Sequence, residues 1–282
     1  MRWRYILNII GILTFFFGLT MIVPLLVGLY YHDQSVIPLL KSMGLTIAAG
    51  LGFHLIFKSG KVEVINQREG MAIVAVGWTA VGLFGALPFY FASGFESFAD
   101  AAFESVSGFT TTGASILTNI EAISKGLLFW RSLIQWLGGM GIIVLAIAIL
   151  PLLGIGGMQL FAAEAPGPTG DKLHPRITDT AKRLWYIYVG YTAAETILLK
   201  VAGMSFFDAM NHALATLSTG GFSTKNASVA YWNDQPVIQY IIILFMFLAG
   251  SNFVLSYFAF KGKVQKILMD EEFKYYGIFI GL

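Results

Sequence analysis

Two short runs of small residues hold most of the chemistry legible in this chain. The first is Thr110, Thr111, Thr112, Gly113, Ala114 and Ser115. The second is Ser218, Thr219, Gly220, Gly221, Phe222 and Ser223. Neither run offers a nucleophile beside a base, and its side chains are neutral. What each offers is backbone. Glycine adopts angles that other residues avoid, so such a run can aim successive carbonyl oxygens in one direction. A ring of such segments can replace the hydration shell of a cation. Competing chemistries are absent. There is no cysteine, which removes disulfides, zinc thiolates and thiol nucleophiles. His32, His54, His174 and His212 are scattered without ligand spacing. No Walker A run, no Gly-x-Ser-x-Gly elbow and no hydrolytic carboxylate pair stands out, so the chain does not read as an enzyme or as the holder of an organic cofactor.

The elements that must position these runs follow from composition. Of 282 residues, 56% are hydrophobic and only 12% charged, and the mean hydropathy is +0.72. Soluble proteins carry about 25% charged residues. A soluble enzyme and a disordered tail are excluded, and a net charge of +2 is too small for a nucleic-acid binder that tracks phosphates. A bilayer crossing needs about 20 apolar residues. Residues 5–31, 36–57, 70–95, 132–163, 184–203 and 235–260 meet that need, predicting six spanning helices in an all-α polytopic membrane protein. The first stretch is too long for a cleaved signal peptide and reads as a retained helix.

Two further stretches, about 95–118 and 205–224, are too short and too polar to cross. Asp100 and Glu104 sit in the first; Asp208, Asn211 and His212 sit in the second. Treated as re-entrant, they leave Lys41, Lys125, Arg131, Lys200 and Lys225 on one side and every other basic residue on the opposite side. The positive-inside rule then puts the N-terminus in the cytoplasm, and both re-entrant segments dip in from outside.

The two segments repeat. Residues 97–115 align on 205–223 without gaps, at an offset of 108 residues, with Ser97/Ser205, Phe98/Phe206, Asp100/Asp208, Ala101/Ala209, Thr111/Thr219, Gly113/Gly221 and Ser115/Ser223 identical. Each copy has a span before and after it, so the unit is helix, re-entrant segment, helix. Ser97 with Asp100, and Ser205 with Asp208, form the Ser-x-x-Asp pattern that starts a helix. About twelve helical residues follow, roughly 18 Å long, reaching only about half of a 30 Å hydrocarbon core. Each short helix ends at its Thr/Gly run, with the negative end of its dipole favouring a cation. Small residues also serve close helix packing, but two copies in register favour the pore-loop reading. For the glycines between Trp136 and Gly141 packing is the expected role. Glu195, an ionisable residue inside a span, is expected to pair with Lys200 or Arg131. The sequon at Asn226 carries no assignment.

At these residues the chain resembles the Trk/Ktr potassium transporter family, in its TrkH branch. The matching pieces are residues 107–115, 217–224, 136–141, 163–168 and 172–176. The resemblance implies two helix–pore loop–helix repeats of potassium-channel type, preceded by the branch's extra helix pair, within a family that places four such repeats around one pore. It implies potassium uptake across the bacterial inner membrane. Carried over by position, Thr110, Thr111, Thr112 and Gly113 would form one filter strand and Ser218, Thr219, Gly220 and Gly221 another. Potassium would meet the backbone carbonyls of Thr111, Thr112, Thr219 and Gly220. A TrkA-type cytoplasmic nucleotide-binding regulatory subunit and a homodimer of the full-length protein are implied partners. The first run has one glycine followed by Ala114, unlike the Thr-Val-Gly-Tyr-Gly filter of tetrameric channels, which implies looser selectivity.

The resulting division is residues 1–68 as an N-terminal helix pair, 69–163 as the first repeat, 164–183 as a cytoplasmic loop, 184–261 as the second repeat, and 262–282 as a linker opening a third. Four units of this period predict roughly 500 residues for a complete protein, of which this sequence would be the N-terminal half or a truncated product. The alternative function is therefore a non-conducting half-length subunit that needs partner repeats to close a pore.

Overall fold

A computed structural model describes residues 1–58, 67–92, 94–149 and 173–281. The stretches 59–66 and 150–172, with residues 93 and 282, lie outside the described residues, and with them the end of the predicted 132–163 span and residues 164–172 of the predicted cytoplasmic loop. All regular structure among the described residues is helical. The chain divides into two compact units. The first comprises Met1–Gly138 together with Phe222–Asn226; the second comprises Gly139–Gly221 together with Ala227–Leu282.

The first unit opens with α1 (Trp3–Thr20), α2 (Ile22–Tyr31) and α3 (Val36–Ile56). α1 and α2 run on as one apolar stretch long enough to cross a membrane. The turn between α2 and α3 is anchored by Asp33. Its carboxylate accepts from the Ser35 amide at 2.8 Å and from the Gly126 amide, at the start of a later helix, at 2.9 Å. At the far end, Arg2 forms an ion pair with Glu69 of α4 (Gln67–Tyr90) at 2.5 Å. Asn8 on α1 donates to the His54 and Phe57 carbonyls at 3.4 and 3.3 Å, satisfying carbonyls that the end of α3 leaves open.

The short helix α5 (Phe98–Phe109) follows, and then α6 (Lys125–Ile149), whose first half completes the unit. Ser97 starts α5. Its hydroxyl accepts from the Asp100 amide at 3.2 Å, while the Asp100 carboxylate accepts from the Ser97 amide at 3.1 Å. Phe109, at the other end of α5, packs edge-on to Phe17 with ring centres 5.3 Å apart. Phe17 also lies against Trp130, whose indole donates to the Gly85 carbonyl at 3.0 Å.

The second unit takes the rest of α6, then α7 (Leu173–Val201) and the short helix α8 (Phe206–Leu217). Ser205 starts α8, its hydroxyl accepting from the Asp208 amide at 3.0 Å. The core is formed by Leu199, Met204, Ala209, Trp232, Ile238 and Ile242. α9 (Pro236–Gly250) and α10 (Phe253–Phe260) meet at 104°. The sequence predicts one span over 235–260; the structure breaks it. Ser251 is extended, with ψ 158°, and the Asn252 side chain caps α10 by accepting from the Val254 amide at 3.0 Å. The chain ends in α11 (Val264–Met269) and α12 (Glu271–Gly281). Tyr276 of α12 stacks on Phe247 and donates to the Phe247 carbonyl at 3.2 Å.

Among the described residues, three helices are long and apolar enough to cross a membrane, or four if the bent pair counts as one. Large apolar side chains lie on the outside: Leu55 is 68% exposed, Ile197 61% and Val201 80%. Such surface belongs against lipid rather than water. The caps make a first prediction. Ser97→Ala and Ser205→Ala should each cost about 1 kcal/mol, read as a lowered unfolding temperature of the detergent-purified protein. No change in either would show that neighbouring helices alone hold the two starts.

Candidate ion-binding site

Both short helices end in the same unusual turn. After α5, the Thr111 amide donates to the Gly108 carbonyl at 2.9 Å and the Thr112 amide to the Ser107 carbonyl at 3.0 Å. After α8, the Thr219 amide donates to the Thr216 carbonyl at 2.9 Å and the Gly220 amide to the Ala215 carbonyl at 3.0 Å. These are Schellman closures, which need a left-handed residue just past the helix and usually place glycine there. Here threonine takes that position: φ is +54° at Thr111 and +57° at Thr219. A β-branched residue in that region is strained by about 1–3 kcal/mol. Two residues on, the left-handed position is filled by glycine, Gly113 at φ +76° and Gly221 at φ +77°. Gly113 and Gly221 also turn their amides back, to the Ser107 and Ala215 carbonyls at 3.5 and 3.2 Å.

The consequence is an asymmetry between donors and acceptors. The amides from Thr110 to Gly113 and from Ser218 to Gly221 all bond backwards into their own helices. The carbonyls of the same residues receive no hydrogen bond among the described residues. Neighbouring hydroxyls are already engaged. Thr110 Oγ1 bonds to the Val106 carbonyl at 2.8 Å and lies 2.7 Å from Thr112 Oγ1. Ser218 Oγ donates to the Ala215 carbonyl at 3.0 Å. Each run therefore presents unsatisfied carbonyl oxygens, the donor type that hard monovalent cations prefer.

A buried polar cluster backs the first run. Glu104 on α5, fully buried, accepts from Ser115 Oγ at 3.0 and 3.1 Å and from the Ile116 amide at 3.2 Å. Arg131 on α6, 1% exposed, donates from Nε to Glu104 at 2.7 Å. Its other nitrogens reach the Ser223 carbonyl at 3.2 Å and Ser115 Oγ at 3.3 Å, and its guanidinium lies 4.0 Å from the centre of the Phe222 ring. One helical turn on, the Gln135 side chain accepts from the Phe222 amide at 3.1 Å. Farther out, Asn226 accepts from the Ile120 amide at 2.7 Å and donates to Asn119 at 3.1 Å. Asp100 shares an open recess of about 620 Å³ with Glu96 and residues 116–119.

Sequence reasoning misses Glu104, Arg131 and Gln135 as a group. The available signal is Arg131 and Gln135 at i, i+4 in an otherwise apolar helix, a polar stripe with no reason to face lipid. The expected partner of Glu195 is also wrong. Arg131 pairs with Glu104 instead. Glu195 is fully buried, forms no close hydrogen bond and no ion pair among the described residues, and has the Thr216 hydroxyl as the polar group facing it. A buried charge without a partner is costly, so Glu195→Gln should leave the unfolding temperature unchanged or raise it. A clear fall would reveal an ion pair at Glu195 after all.

The Gly138–Gly139 pair does serve packing. A Cβ on Gly138 would overlap the carbonyl of Phe109, the last residue of α5. In the second unit, a Cβ on Gly139 would stand 2.9 Å from Ser218 Cα.

The family model for the TrkH cation transport proteins matches residues 39–279. This chain belongs to that family. The Trk system potassium uptake protein TrkH of Escherichia coli K12 is 45% identical over 285 residues, an alignment that takes in 100% of this chain and 58% of TrkH. The Trk system potassium uptake protein TrkG of the same organism is 34% identical over 276 residues, which take in 97% of this chain and 56% of TrkG. The crystal structure of the potassium transporter TrkH from Vibrio parahaemolyticus superposes with a TM-score of 0.85 at 38% identity, covering 97% of this chain and 56% of that one. The chain thus spans a little over half the length of the TrkH relatives it matches.

Proposed function

We propose that this chain supplies two helix–pore loop–helix repeats of a potassium uptake pore, with an extra helix pair in front of them. The carrying observation is the pair of identical turns at Thr111–Gly113 and Thr219–Gly221, which commit every amide backwards and leave the carbonyls open. In this reading Thr110, Thr111, Thr112 and Gly113 form one filter strand, and Ser218, Thr219, Gly220 and Gly221 the other. Potassium exchanges part of its water shell for the carbonyls of Thr111, Thr112, Thr219 and Gly220. The negative end of each short helix's dipole lies at its own run and favours a cation there, and Asp100 and Asp208 cap the opposite ends of α5 and α8. The names of the TrkH and TrkG relatives support potassium as the ion.

The sorting of basic residues supports a cytoplasmic N-terminus in a bacterial inner membrane. A TrkA-type regulatory subunit on the cytoplasmic side, and pairing of the full-length protein into a dimer, follow from the same family reading. The gene product carrying this sequence should restore growth on low potassium to a bacterium lacking its own uptake systems. Purified into liposomes, it should pass rubidium well ahead of sodium. No growth and no flux, with the protein present in the membrane, would favour the non-conducting subunit instead.

A further inference from the structure

The Glu104–Arg131 pair has more contacts than fold stability asks of it. A buried ion pair adds little net stability, and well-packed apolar residues often replace it without loss. What distinguishes this one is where its remaining hydrogen bonds go. Ser115 lies two residues past Gly113, and Ser223 lies two residues past Gly221. Arg131 donates to both, to the hydroxyl of one and the carbonyl of the other. Glu104 orients Arg131 through Nε and also holds Ser115 and Ile116. A guanidinium is a planar fork with donors fixed in several directions, a geometry that a lysine ammonium does not reproduce.

The second repeat carries different residue types at these positions. At the 108-residue offset, Glu104 corresponds to His212 and Arg131 to Gln239. His212 bonds through Nδ1 to the Asp208 carbonyl and meets Trp232 edge-on, and Gln239 donates to Asn233 at 2.7 Å.

We propose that Arg131, anchored by Glu104, is a positioning residue that braces the segments following both glycines and so holds the carbonyls of each run at the angles that favour potassium over sodium. The proposal rests on reading residues 110–113 and 218–221 as the filter. Because one pair serves both segments, a single lesion loosens both.

The test uses the whole gene product in proteoliposomes, with rubidium and sodium fluxes measured at matched protein content. Arg131→Lys keeps the charge but loses the fork. It should fold, lower the rubidium-to-sodium flux ratio about tenfold, the scale of a lost charge-assisted hydrogen bond, and raise the KM for potassium more than it lowers the maximal rate. The double variant Glu104→Gln with Arg131→Met leaves no orphaned charge and guards against simple unfolding. It should fold and show the same loss of discrimination. Gln239→Ala should keep the wild-type ratio. A wild-type ratio in folded Arg131→Lys and in the folded double variant overturns the brace. So does failure of both to fold, which would assign the pair to structure alone. Gly113→Ala and Gly221→Ala separate the two levels. If they shift the ratio and the Arg131 variants do not, only the brace falls; if none shifts it, the filter assignment falls as well.

Discussion

Gly221→Ala should leave the protein folded and blunt its choice between potassium and sodium. At φ +77° the backbone is left-handed, and a Cβ added there meets nothing within 4 Å. The penalty is therefore torsional, about 1–2 kcal/mol for an L-residue with a side chain. The segment relieves it by rotating its neighbouring peptides, and those peptides carry the carbonyls assigned to the ion. Gly113→Ala, at φ +76°, should act in the same way on the first run. The expected result is a rubidium-to-sodium ratio reduced about tenfold or more, with membrane abundance close to wild type. Valine in either place should be worse, because β-branching sharpens the conflict with a left-handed backbone. Unchanged ratios in both alanine variants would remove these runs as the filter.

Gly138→Val should have the larger effect on the fold itself. A side chain here cannot be absorbed by a rotamer change, because the atoms in its way are backbone: the carbonyl and Cα of Phe109. Separation of α5 from α6 would disturb the contact that seats the Thr110 run. Overpacking against backbone is among the costly classes of substitution, and a loss of more than about 3 kcal/mol is expected. Membrane abundance and the unfolding temperature should both collapse. Gly52→Ala is the matched control, since a Cβ there meets nothing within 4 Å. Comparable behaviour of the two variants would mean that α5 and α6 separate without penalty.

Some of this architecture is legible in sequence because it is local. A serine three residues before an aspartate makes its own hydrogen bonds, so the starts at Ser97 and Ser205 need no knowledge of the rest of the fold. The offset between the two Thr/Gly runs is likewise visible by inspection. The turn itself is less so. Schellman closures normally advertise themselves by glycine, and Thr111 and Thr219 give the opposite signal; only the second left-handed position, at Gly113 and Gly221, carries the expected residue. The partner of Arg131 is not legible either. Choosing between Glu104 and Glu195 depends on which face of α6 meets α5, and hydropathy does not encode that in a helix flanked by both lipid and protein. The bend after Gly250 is hidden for a related reason: residues 250–252 are small or polar but stand within an apolar run, and length alone argues for one continuous helix.

The threonines at the left-handed positions have a consequence for turnover. Glycine at the same place would have a broad basin of neighbouring conformations, whereas a β-branched side chain with positive φ occupies a narrow well with few nearby alternatives. Each run is thus stiff where it would otherwise be slack. If the runs serve as the proposed filter, a departing ion would leave each run's oxygens little room to relax, and the next ion would meet them with almost no reassembly. Fast exchange and discrimination, which usually oppose each other, would then draw on the same rigidity.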